Sequence, residues 1–108
     1  MGRSQQRKGR SGELELCRLL NAQGYAVRPG QAVSYGQEPD LVGLPGVHIE
    51  VKRREVVDLA AALKQAAEDA ERFGDGIPAV FARGNRQKWR VTMLLDDWLN
   101  LYQRYLRK

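Results

Sequence analysis

The stretch Pro39-Asp40-Leu41-Val42-Gly43-Leu44-Pro45-Gly46-Val47-His48-Ile49-Glu50-Val51-Lys52 decides the fold. Two short β-prone runs, Asp40 to Leu44 and Val47 to Lys52, flank Pro45-Gly46, and this pattern predicts a hairpin. In the second run Val47, Ile49 and Val51 alternate with His48, Glu50 and Lys52, which puts the apolar side chains on one face of a strand and the polar ones on the other. Turn length then decides what lies across from Asp40. A two-residue Pro45-Gly46 loop sets Asp40 opposite Val51, whereas a three-residue loop of Leu44, Pro45 and Gly46 sets it opposite Glu50. The second register, or a bulge with the same effect, is expected, with Gly46 supplying the left-handed conformation.

On the N-terminal side, Leu14, Leu16, Cys17, Leu19 and Leu20 recur at helical spacing, predicting a helix over Ser11 to Gln23 with Gly24 as its stop. Glu13 falls in its first turn at the edge of the apolar stripe, where it is either a functional carboxylate or an acid favoured by the helix dipole. Tyr25 to Val27, and also Ala32 to Tyr35, read as strand, with a loop over Gly36 to Pro39. On the C-terminal side, Asp58 caps a helix running from Leu59 to about Phe73, with Leu59, Leu63, Ala66, Ala70 and Phe73 as its stripe and Gly74 at its end. Ile77 to Ala82 and Trp89 to Leu94 read as strands, and a last helix from about Asp96 carries Trp98, Leu101, Tyr102 and Tyr105. Those aromatics fit core or a dimer contact better than base stacking. The order α-β-β-β-α-β-β-α makes an α/β fold in which helices cover a mixed sheet.

The chain has 108 residues, enough for one domain, which we place over residues 11–108 behind a flexible basic arm over 1–10. No apolar run is long enough for a membrane helix and no secretory signal is present, which points to the cytoplasm. Cys17 is the sole cysteine, which excludes an internal disulfide and fits a place in the core. With 18 basic and 13 acidic residues the formal charge is +5, and the cations cluster at Arg3, Arg7, Lys8 and Arg10, at Lys52, Arg53 and Arg54, and at Arg83, Arg86, Lys88 and Arg90. Several basic clusters in one small domain favour a polyanion, above all DNA, as partner.

Asp40 and Glu50 are hard oxygen donors of the kind Mg²⁺ takes, with Mn²⁺ as a natural substitute, and the carbonyl of Val51 is a further candidate ligand. Lys52 shares the face of Glu50 and puts a cation where it can orient a water or stabilise a crowded phosphate. Together these groups fit phosphodiester hydrolysis. An Asp followed by Glu-x-Lys is common by chance; the hairpin and the basic surroundings give it weight. His48 lies on the same face, where a lone histidine is more often a hydrogen-bonded structural residue.

Pro39-Asp40 followed nine residues later by Glu50-Val51-Lys52 resembles the PD-(D/E)xK signature of the restriction-endonuclease-like superfamily. The run KGRSGELELCRLLNAQGYAV looks like the opening helix and first strand of archaeal-type and phage Holliday-junction resolvases, and GLPGVHIEVKRRE is similar to their central hairpin. The resemblance implies a mixed sheet flanked by helices and a metal-dependent endonuclease whose active site is Glu13, Asp40, Glu50 and Lys52. It also implies a homodimer placing two sites on a four-way DNA junction, in a prokaryotic or phage-infected cell. Gln65 resembles an accessory glutamine of some superfamily branches, and Ser34 is the nearest match to a loop serine of some resolvases. The implied alternatives are a repair or replication nuclease of the same fold, or a DNA-binding module that has lost catalysis.

Overall fold

The computed structural model describes the backbone at 2–33 and 36–108 and side chains at 10–31 and 38–108. Helix α1 (Gly2–Ala22) leads into three two-residue strands, β1 (Arg28–Pro29), β2 (Ala32–Val33) and β3 (Gly36–Gln37). The hairpin strands β4 (Leu41–Val42) and β5 (Gly46–Arg53) follow, then α2 (Leu59–Phe73), β6 (Gly76–Arg83), β7 (Arg90–Met93) and α3 (Leu95–Leu106). The main sheet has the order β1-β4-β5-β6-β7, while β2 and β3 pair with each other alone. Among the described strands only β5 and β6 run parallel, joined by the crossover through α2. The sheet is therefore mixed, as the sequence predicts; β2 falls within the expected Ala32 to Tyr35 strand, and Gly36–Gln37, expected as loop, is its antiparallel partner.

Alternation along β5 divides the molecule into layers. Ile49 and Val51 face α1 and are buried with Leu16, Cys17, Val27 and Leu41. Val80 and Ala82 of β6 pack on the other face against Ala62 and Ala66 of α2. Because Glu50 is the register partner of Val80, His48, Glu50 and Lys52 lie on this second face, toward α2. The buried stripe of α2 is Ala62, Ala66 and Ala70, whose small side chains let the helix come close to the sheet. Leu59, expected in that stripe, is instead exposed at the first turn. Asp58 caps the helix by accepting from Ala61 N–H at 3.1 Å, and Gly74 closes it in the left-handed conformation, both as expected.

Three expectations are corrected. Residues 2–10, read as an arm, form the N-terminal turns of α1; Gln5, Gln6, Arg7 and Lys8 are good helix formers and continue the helix beyond its apolar stripe. Tyr25 to Val27 is not strand, because the Asn21 side chain takes both backbone groups of Val27, at 2.7 and 2.9 Å, and pairing begins at Arg28. Finally, α3 has no buried residue. Trp98, Tyr102 and Tyr105 stack on one another along its exposed face, with centroids 5.2 and 6.2 Å apart, and contribute nothing to the core.

Candidate active site

The β4–β5 register pairs Leu41 with Ile49, so one step along the ladder Asp40 stands across from Glu50, as the three-residue loop predicts. Gly46 has φ 84°, the left-handed conformation the turn needs. Asp40 is fixed from two sides. Its Oδ2 accepts the backbone N–H of Val51 at 2.8 Å, and its carbonyl accepts the N–H of Gly30 at 2.9 Å. At Gly30 any Cβ would run into the carbonyl of Pro39, so only glycine permits this approach of β1 to the Pro39-Asp40 corner.

Glu13 enters from α1. The residue before it, Gly12, is buried against β5, and a Cβ there would run into the Arg53 Cβ. The close crossing that Gly12 allows carries the first apolar turn of α1, and with it Glu13, up to the sheet.

The electrostatics tie the three carboxyl groups together. Burial, repulsion from Asp40 and a hydrogen bond to Asp40 push Glu50 up to about 8, against a weaker opposing pull from Lys52. Burial and then Asp40 push Glu13 up to about 7, with Arg10 opposing. Asp40 is thus the common neighbour of the other two. Asp40 and Glu50, in hydrogen-bond contact, form a carboxyl pair that a divalent cation would relieve, Glu13 is near enough to feel the charge of Asp40, and these hard oxygens with the Val51 carbonyl fit such an ion.

The solved structure of Hjc, a Holliday junction resolvase from the archaeal hyperthermophile Archaeoglobus fulgidus, matches this chain at TM-score 0.57 and 30% sequence identity, covering 77% of this chain and 74% of that one. The chain belongs to the Holliday-junction resolvase branch of the PD-(D/E)xK superfamily. No protein-family model and no curated protein sequence matches it.

The resolvase-like chain pairs Asp40 with Glu50 and sets Lys52 within reach of the charge of Glu50 and Glu13 within reach of that of Asp40. Gln65 is exposed on α2 and donates from Nε2 to Asp69 Oδ1 at 3.0 Å; Asp69 in turn faces Glu50 and raises it further. Ser34 lies outside the described residues. The cations divide into two groups. Arg53 and Arg83 are both paired with Glu15, which also accepts from Trp89 Nε1 at 3.1 Å, and Arg53 reaches Asn85 at 2.8 Å. These ties hold Glu15 below the usual carboxylate range, the hydrogen bond from Arg83 contributing most. Arg10, Arg54, Arg86 and Lys88 are exposed. Arg3, Arg7 and Lys8 lie on the first turns of α1.

The sequence reading missed Asp69 and Asp75. Asp69 lies four residues after Gln65 on one flank of α2, a spacing that could have singled it out once that helix was known to cover the polar face of β5. Asp75 sits just past the helix and hydrogen-bonds His48 Nδ1 at 2.9 and 3.0 Å. The structural reading of His48 therefore holds for that nitrogen.

Proposed function

We propose that this resolvase-like nuclease is a metal-dependent endonuclease that cuts DNA at four-way junctions. The reading is carried by the hairpin register that sets Asp40 across from Glu50, with Lys52 on the same face. Asp40, Glu50 and the Val51 carbonyl would hold Mg²⁺, for which Mn²⁺ would substitute, and Glu13 would complete the acidic set. When bound, the ion stabilises charge on the phosphate and makes a water nucleophilic near neutral pH. Lys52 would orient the attacking water or offset charge on the phosphate. Arg10, Arg54, Arg86 and Lys88, and from the first turns of α1 Arg3, Arg7 and Lys8, contact DNA phosphates. Arg53 and Arg83, tied to Glu15, hold the frame rather than the strand. Two copies of the chain place two sites on opposed strands.

The test is cleavage of a labelled four-way junction beside a linear duplex of the same sequence, with Mg²⁺ or EDTA, by the wild type and Glu50→Gln. Paired nicks on the junction alone, absent with EDTA and lowered about a thousandfold in the variant, are expected. Equal cutting of the duplex would remove the junction assignment and leave a repair or replication nuclease. Tight binding without cutting would leave only a DNA-binding module.

A further inference from the structure

The face of β5 that carries Glu50 also buries a titratable group that the reaction above does not use. His48 is 1% exposed, and its ring lies over Phe73 with centroids 6.0 Å apart. Nδ1 is within hydrogen-bond distance of both oxygens of Asp75, so its proton belongs there, donated to the carboxylate, and Nε2 is left with a lone pair. Nε2 is buried and meets no hydrogen-bonding partner among the described residues. A carboxylate that fixes the tautomer of a buried imidazole, with the second nitrogen free, is the arrangement found behind histidine metal ligands.

The imidazole has company. Ligand atoms of His48, Glu50 and Asp69 all lie within 4.8 Å of one another. Gln65 Nε2 at 3.0 Å and Arg72 Nη2 at 3.2 Å both reach Oδ1 of Asp69, which fixes that carboxylate and leaves Oδ2 to coordinate. Asp69 is held by α2 and His48 by β5, and α2 packs through Ala62 and Ala66 on β6, the parallel neighbour of β5, so the donors are set before any ligand arrives.

We propose that His48 Nε2, Asp69 and Glu50 form a second divalent-cation position beside the Glu13–Asp40–Glu50 set, sharing Glu50 with it and selecting a transition ion such as Mn²⁺ or Zn²⁺ over Mg²⁺. The selectivity follows from the nitrogen: imidazole suits borderline ions, whereas Mg²⁺ prefers an all-oxygen shell. The three donors stand independently of the nuclease reading; only the adjacency of the second ion to the cut phosphate rests on it. Because Glu50 serves both positions, an ion at one alters affinity at the other.

The experiment titrates metal-free full-length protein with MnCl₂, counting bound Mn²⁺ by EPR and detecting coordinated imidazole nitrogen by electron spin-echo modulation. Wild type is expected to bind two Mn²⁺ per chain and to show ¹⁴N modulation, while calorimetry finds one Mg²⁺. His48→Gln should lose the modulation and one Mn²⁺. Asp69→Asn, nearly isosteric and so safe for the fold, should weaken the second ion at least tenfold, and Asp75→Asn should do so by about 10- to 100-fold. A single Mn²⁺ without nitrogen coupling, or two that ignore both His48→Gln and Asp69→Asn, overturns the second position, and junction cleavage by such a protein would leave the proposed function standing. Nitrogen-coupled Mn²⁺ in a chain that cuts no DNA would do the reverse.

Discussion

Glu50 and Glu13 have carboxyl groups pushed up to about 8 and about 7, chiefly by burial and next by Asp40. Below about pH 4.5 the folded and unfolded chains both keep these protons. Between there and about pH 8 the unfolded chain has released protons that the folded chain retains, so metal-free stability falls with rising pH across that window and levels off above it. The melting temperature without metal should therefore drop from pH 5 to pH 8, and Glu50→Gln should flatten the drop. Adding Mn²⁺ at pH 8 should restore the melting temperature and release protons into the buffer. A melting temperature independent of pH over this range, measured by scanning calorimetry, would mean that the carboxyl groups are better solvated than their burial implies.

At the scale of elements, the site is made by three close approaches, and each was visible in the sequence to a different degree. The hairpin register follows from a local feature, the three residues Leu44, Pro45 and Gly46, and so Asp40 and Glu50 could be paired before any tertiary contact was known. Helix α2 was legible from Asp58 to Gly74 because its caps are local as well. Asp69 was not, because its role depends on which flank of α2 meets β5, and that is set by Ala62 and Ala66 packing on Val80 and Ala82. The approach of α1 hangs on Gly12, which periodicity leaves unmarked. Replacing it with valine forces a branched side chain into the Arg53 stem and should cost about 1–3 kcal/mol in denaturant unfolding. Since Glu13 is the next residue, Gly12→Val should also weaken metal binding, whereas Gly24→Ala, which meets no neighbour but is strained by a φ of 99°, should cost stability and leave that affinity unchanged.

Over the whole molecule, the basic clusters read from the sequence do not act as one surface. Glu15 draws Arg53, Arg83 and Trp89 into a network between α1, β5 and the end of β6, a role no charge count reveals because it joins residues 68 and 74 positions apart. The opposite lesson comes from α3, whose aromatics the sequence reads as core or dimer contact and which the fold leaves out of the core. A helix of 12 residues with no buried side chain has little beyond its own backbone bonds to hold it, and isolated helices of that length are marginal in water. Its amides should consequently be the quickest to take up deuterium among the helices flanking the sheet, opening without global unfolding. If copies of the chain pair through Trp98, Tyr102 and Tyr105, that uptake slows as protein concentration rises, so in dilute solution α3 is a segment that finishes folding only when it associates.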